Sequence, residues 1–269
     1  MRKCYTAIIF LLLTVTFYSC IQEGTYKITG ELGLPDQSVV TLWPDDNSHQ
    51  IAGVTVADHK FQMKIEALDE GVYNLLISWK NPNRQAQILK NGSRLGTPDT
   101  LFSRTRIYLD PNSDYHITSP IKDISNVSIP TRTNLNPFPI NVNTNSEATK
   151  ELQSYLAVIS RVTLVFQKKL DSLNFLATVA QAKDDIFNHR KIMDEYEGLD
   201  DGFFKGEIFR AREAFIDRHK TSPVSAYLIA TAPDLKDKRV YYQQAVRKLD
   251  AALQQNRYTI EAKRRLAIK

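Results

Sequence analysis

Asn136-Pro137-Phe138-Pro139-Ile140-Asn141-Val142-Asn143-Thr144-Asn145-Ser146-Glu147-Ala148-Thr149-Lys150-Glu151-Leu152 is the stretch in which the chain changes its hydrophobic period. Two prolines lock φ and hold the residues before them in extended backbone, so no helix crosses 136–139. From Glu147 the apolar residues Leu152, Leu156, Ile159, Phe166, Leu170, Leu173, Ala177 and Ala180 fall mostly at steps of three and four, the spacing of one long amphipathic helix. Upstream the apolar residues alternate instead. The segment 123–146, rich in Asn, Thr and Pro, therefore reads as an interdomain linker. The expected fold class is α+β: an N-terminal antiparallel β-sandwich or barrel domain over 20–122, then a C-terminal all-helical domain over 147–269.

In the N-terminal half, Tyr26-Lys27-Ile28-Thr29-Gly30-Glu31-Leu32 and Val39-Val40-Thr41-Leu42-Trp43 read as strands. The runs 49–57 and 61–67 flank Asp58-His59-Lys60 in the manner of a hairpin. Residues 71–79 supply another apolar strand, and 106–109 with 115–118 form a further pair around Asp110-Pro111-Asn112-Ser113. Between 81 and 103 the pattern lapses, which predicts a long loop or an extended edge hairpin. In the helical half, a break is expected at Gly198-Leu199-Asp200-Asp201-Gly202. Ser222 reads as an N-cap with Pro223 at the first helical position, and Asp234 as the cap of a last helix over 235–267.

Ahead of both halves, Arg2 and Lys3 precede an apolar run at 7–17 that stops at Tyr18-Ser19-Cys20. Basic, apolar, small residue, cut is the layout of an export signal, and the run is too short to span a bilayer. The cysteine at the cut position resembles the lipobox of bacterial lipoproteins. That resemblance implies a signal peptide over 1–19, cleavage between Ser19 and Cys20, and acylation of Cys20; a plain secretory signal or an uncleaved anchor are the other readings. The lipidated chain would sit in the cell envelope, held to a membrane on the periplasmic face or at the outer membrane. Each buried CH₂ contributes about 0.8 kcal/mol to such an anchor.

Loss of Arg2 and Lys3 lowers the formal charge from +5 to +3, which removes the sequence pI as an argument for nucleic acid. It also removes Cys4, and acylation would block Cys20, leaving no free thiol. The histidines His49, His59, His116, His189 and His219 show no His-x-x-x-His spacing, so no metal site is expected. Asp184-Asp185 and Asp200-Asp201 are adjacent carboxylates, which diverge by about 100° on a helix rather than facing each other. No nucleophile elbow and no phosphate loop are present. The expectation is no catalytic residue and no cofactor. Asp99-Thr100-Leu101 and Asp171-Ser172-Leu173 look like the Asp-Ser/Thr-aliphatic acceptor of envelope O-glycosylation, which makes Thr100 and Ser172 the acceptor hydroxyls. The basic run from Lys236 to Lys269, with Arg247, Lys263 and Arg264 among its cations, offers a face to anionic lipid or an acidic partner. Its interspersed acids and the helix dipole account for it as well.

The order of parts resembles envelope lipoproteins of the TlpA/ResA thiol-disulfide oxidoreductase type, in which a β domain of unknown function and a helical segment precede a thioredoxin-like domain. Tyr26-Lys27-Ile28-Thr29-Gly30 is similar to the opening strand and Val54-Thr55-Val56-Ala57-Asp58-His59-Lys60-Phe61 to the hairpin. Arg106-Ile107-Tyr108-Leu109-Asp110-Pro111 resembles the closing strand and turn. Phe215-Ile216, Thr221-Ser222-Pro223-Val224-Ser225-Ala226-Tyr227-Leu228 and 253–266 resemble the helical segment. The family's Cys-x-x-Cys at a helix start has no counterpart in this sequence. The resemblance thus implies a non-catalytic, lipid-anchored envelope protein with a ligand- or partner-binding β domain, accessory to a thioredoxin-like envelope protein. The alternative is a truncated or split thiol-disulfide oxidoreductase.

Overall fold

The computed structural model describes residues 24–81, 86–88, 94–96, 100–111, 113–123 and 139–268. Residues 1–23, which include Ser19 and Cys20 of the expected signal peptide and lipidation site, lie outside the described residues, as do 124–138 of the expected linker and most of 82–99. The chain is α+β, strands first and helices after. The strands are β1 (Gly24–Glu31), β2 (Val39–Pro44), β3 (Ala52–Thr55), β4 (Lys60–Leu68), β5 (Gly71–Lys80), β6 (Ala86–Ile88), β7 (Arg94–Gly96), β8 (Thr100–Leu109), β9 (Asp114–Thr118) and β10 (Asn141–Thr144). The helices are α1 (Glu147–Ala182), α2 (Ile186–Phe203), α3 (Phe209–Arg218), α4 (Pro223–Ala230), α5 (Arg239–Lys248) and α6 (Arg257–Leu266), with a π-helical segment at Phe204–Ile208 and a 3-10 turn at Ala251–Gln255.

Two four-stranded sheets, ordered β10-β9-β1-β4 and β3-β2-β5-β8, carry the β half, and among the described residues β6 pairs with β7 in a two-stranded sheet. They are not closed into a barrel. The first sheet is mixed rather than antiparallel, because β1 and β9 run parallel from Lys27↔Asp114 to Glu31↔Thr118. A parallel pair needs a long crossover, and here the connection between β1 and β9 contains the whole second sheet. β4 shows why it forms: Phe61, Met63 and Ile65 are buried while Lys60, Gln62, Lys64 and Glu66 face solvent. β5 does not alternate, since it is apolar on both faces. Its Tyr73, Leu75, Ile77 and Trp79 share a core with Tyr26, Ile28, Met63 and Ile117 of the first sheet, while Val72 joins the helices.

Both expected strand pairs across a turn are corrected. At Ala57-Asp58-His59-Lys60 the main chain bonds reciprocally, at 3.0 and 2.9 Å, with φ of 49° and 63° at the central residues. That is a primed hairpin turn, yet β3 leaves it to pair with β2 and β4 to pair with β1. The turn hands the chain from one sheet to the other. The turn after β8 does the same, since β8 pairs with β5 and β9 with β1 and β10. The region between 81 and 103 contains the β6–β7 hairpin, and Thr100 to Ser103 belong to β8 rather than to a loop. Residues 141–144, expected in the linker, form β10 against β9.

Ser222 caps α4 through Val224 N with Pro223 following, as expected. The last helix is broken in two. Asp250 caps the 3-10 turn through Ala252 N, and Asn256 caps α6 through Tyr258 N. Asp234 instead accepts from Tyr242 Oη at 2.7 Å. The break expected at 198–202 does not occur, because α2 runs through both glycines and bulges into the π segment beyond them. A glycine inside a helix costs only about 1 kcal/mol.

Candidate functional site

The helical half is rooted on the sheet by α1. Ser146 caps α1 by accepting from Thr149 N at 3.1 Å, and its hydroxyl donates to Asp110 in the β8–β9 turn. One turn on, Thr149 Oγ1 accepts from Tyr108 N at 3.1 Å and donates to Tyr108 O at 2.6 Å. Gln153 Nε2 donates to Arg106 O at 2.5 Å. Side chains of α1 thus occupy the backbone groups of β8 that a further strand would have taken. Glu151 then accepts from the Ser222 hydroxyl and lies 3.3 Å from His219 Nδ1, which ties α1 to the start of α4.

A polar belt completes the junction. Asp45 meets Arg106 Nε at 3.2 Å and accepts from Tyr227 Oη at 2.9 Å. Tyr108 Oη donates to Glu70 at 2.7 Å. Tyr258 Oη accepts from Val72 N at 2.8 Å and from Arg257 Nη2 at 2.7 Å, and the Arg257 guanidinium lies over the Tyr73 and Tyr258 rings. Burial pushes the Tyr108 and Tyr227 hydroxyls far up, and the carboxylates of Glu70 and Asp45 beside them act in the same direction. These hydroxyls stay protonated and serve as donors. The belt binds the two halves together.

Beyond this root α1 continues for 36 residues in all, about 54 Å at 1.5 Å per residue. Phe166, Leu173, Ala177 and Ala180 are buried at steps of seven, four and three, and belong to neither of the two main cores. Their partner is α2, whose inward positions His189, Ile192, Tyr196 and Leu199 are only half-buried. The pair is an antiparallel arm with a thin apolar seam. Its outer surface carries apolar side chains: Phe175 is 69% exposed, Ile186 and Phe187 are each 81% exposed, and Leu164, Val165 and Leu176 are also open. Phe175, Leu176, Ile186 and Phe187 lie near the turn that joins the two helices. The charges in that turn are mixed, Lys183 beside Asp184 and Asp185, with Arg190 and Lys191 following on α2.

Of the sequence-derived candidates, Ser172, Asp184, Asp185 and His189 lie on the arm, but the candidates do not gather into one cluster. Asp185 caps α2, accepting from Asn188 N at 3.1 Å and Nδ2 at 2.6 Å, and the Asn188 N–H lowers its carboxyl from the usual range. Its neighbour Asp184 holds a left-handed backbone at φ 54°. His59 Nδ1 lies 2.9 Å from Leu34 O and His116 Nδ1 lies 3.1 Å from Thr29 Oγ1, each engaged locally. Among the described residues, no three of His, Cys, Asp and Glu gather as a metal-binding set. No described helix is long and apolar enough to cross a membrane. Thr100 is exposed at the start of β8, opposite Lys80, and Ser172 is exposed on α1. The arm was missed as a site by sequence reading, although the surplus of apolar residues between 158 and 193 over those needed for one helical face was its available signal.

Compared with known proteins, the chain matches no family model, no curated protein and no solved structure.

Proposed function

We propose that this chain is a lipid-anchored cell-envelope protein that captures a partner protein and performs no chemistry of its own. Its two sheets stack as a sandwich that serves as the base, and the α1–α2 arm is the docking element. The observation that carries this reading is the exposure of Phe175, Leu176, Ile186 and Phe187 at the end of an arm whose own seam is half-covered. An exposed cluster of this kind marks an interaction surface. Mixed charge at the arm's turn, with Lys183 beside Asp184 and Asp185, favours a protein over an anionic membrane, which would be met by an excess of cations. Acylation of Cys20 after cleavage behind Ser19 supplies the membrane attachment. The TlpA/ResA resemblance supplies the partner's class, a thioredoxin-like envelope domain.

The test places a photo-crosslinking residue at 187 and, as a control, at the exposed position 62 of β4, in cells that make the lipidated chain. Crosslinking from 187 alone to a protein with a Cys-x-x-Cys thioredoxin-like domain supports the proposal. Equal products from both positions, or none, refute it. Disulfide reductase turnover by the purified chain would overturn the non-catalytic reading in favour of a redox enzyme.

A further inference from the structure

The segment from Lys236 to Lys269 carries ten cations, and the structure separates those already engaged from those that are not. Arg264 pairs with Glu261 at 2.7 Å, Lys238 pairs with Glu213 and, at 3.6 Å, with Asp234, and Arg257 reaches Asp69 at 4.0 Å. Arg239 Nη2 donates to Leu266 O at 3.0 Å, and Arg265 Nη1 donates to Ala230 O. Arg247 and Lys263 form no ion pair among the described residues, and Lys263 Nζ reaches only Gln254 O, at 3.5 Å. These two cations line the same surface cavity of about 440 Å³, together with Gln243, Val246, Gln254 and Ile268.

The two amides in this cavity are held in one orientation. Gln243 Nε2 donates to Leu266 O at 3.1 Å and Gln254 Nε2 donates to Leu249 O at 3.1 Å. Each amide thus has one N–H fixed on a main-chain carbonyl, which sets its orientation and leaves its second N–H available, and neither Oε1 accepts a bond from a described residue. The cavity offers two unpaired cations, two free acceptors and an apolar side from Val246 and Ile268. A simple anion would use the cations and leave both acceptors idle. A carboxylate that also carries an N–H donor a few ångströms away would use both sets, and its volume is in the range of small-ligand sites.

We infer that this cavity binds the free carboxyl end of a short peptide, with the carboxylate on Arg247 and Lys263 and the peptide N–H groups on the Gln243 and Gln254 carbonyl oxygens. The site is separate from the α1–α2 arm and stands or falls without it. Arg247 is exposed and Lys263 half-exposed, so R247Q and K263Q leave the buried core intact. The test titrates tri-L-alanine, its C-terminal amide, acetate and inorganic phosphate into the mature chain, and reads amide resonances and thermal midpoint together. The expected result is saturable shifts at 243–247 and 263–268 with the free-acid tripeptide only. Each Gln variant, folded as judged by an unchanged midpoint, should weaken that binding by about tenfold or more, as expected for loss of a charge-assisted bond. No shift at millimolar tripeptide, equal binding of its amide, or unaltered affinity in both variants overturns the site. Acetate or phosphate binding as tightly as the tripeptide overturns the peptide as its occupant.

Discussion

Thr149 does at the edge of β8 what a neighbouring strand would otherwise do. A hydroxyl can donate and accept at once, and this one satisfies both the N–H and the C=O of Tyr108, which is itself fully buried. Thr149→Val keeps the shape and deletes both bonds, leaving the buried Tyr108 N–H unpaired, while the Tyr108 carbonyl keeps the Tyr115 hydroxyl at 3.0 Å. The expected loss is about 1–3 kcal/mol, read as a lower denaturant midpoint at unchanged m value. Gly71 is a second such point. It has φ of 152°, and a Cβ there would lie 1.9 Å from Arg257 Nη2 and 2.7 Å from Tyr258 Oη. Gly71→Ala is expected to cost about 2–3 kcal/mol through backbone strain and displacement of Arg257. The double variant with Arg257→Ala should recover the part due to the Arg257 clash and leave the backbone strain and the Tyr258 hydroxyl contact, a difference measurable by a double-mutant cycle. Neither residue announces itself in sequence. Thr149 reads as an ordinary polar position in the first turn of a helix, and Gly71 as turn punctuation, because the atoms that constrain them come from more than forty and more than one hundred and eighty residues away.

At the scale of elements, the arm separates packing from recognition. Its seam residues hold α1 to α2, whereas Phe175, Ile186 and Phe187 touch little of the chain. Replacing these three with Ser should move the thermal midpoint only slightly, since each is a surface change worth about 0.5 kcal/mol or less, and should abolish crosslinking of a partner. Leu173→Ala should do the converse. It opens the seam and should raise amide exchange over 165–199 while the two sheets keep their protection, as expected of a locally stable unit. The periodicity of α1 was readable because a seam at 166, 173, 177 and 180 needs the same pattern whether its partner is a core or a single helix. The pairing of β3 and β4 was not. A primed turn with Asp58 and His59 at positive φ is built identically when the flanking strands form one ladder and when they part into two sheets.

For the whole molecule, the helical core is closed by Val72 and Tyr108 of the second sheet, and the polar belt crosses the same junction. A single cooperative unfolding transition by sheet and helix probes is the expectation. High pH tests it independently. Burial raises the Tyr26 hydroxyl from its ordinary value of 10.0 to about 12 and raises Tyr108, Tyr227 and Tyr242 as well. The unfolded chain releases these protons from about pH 10 while the native chain keeps them, so the unfolded state binds fewer protons and stability falls as pH rises. This contribution is complete below about pH 10 and for Tyr26 is lost on passing through about pH 12. The thermal midpoint should drop across that window, with ionisation of Tyr26, Tyr108, Tyr227 and Tyr242 accompanying the loss of helical signal. Ionisation of Tyr108 or Tyr227, followed by residue-specific resonances, before any loss of helical signal would show that the junction is open to solvent.

The amino-acid sequence alone determined the α+β class, the change of period at Glu147, the long first helix and the Ser222-Pro223 start of α4, because each depends on residues within a few turns of one another. It also marked Thr100 and Ser172 and the basic C-terminal run. Tertiary structure decided which strands share a sheet, that β1 and β9 run parallel, and that the last helix breaks at Asp250 and Asn256. It also decided which cations of that run are already paired and which apolar residues of α1 and α2 find no cover. Those outcomes depend on competition among groups distant in sequence for the same buried space and the same hydrogen bonds, and that competition is settled only when the chain has folded.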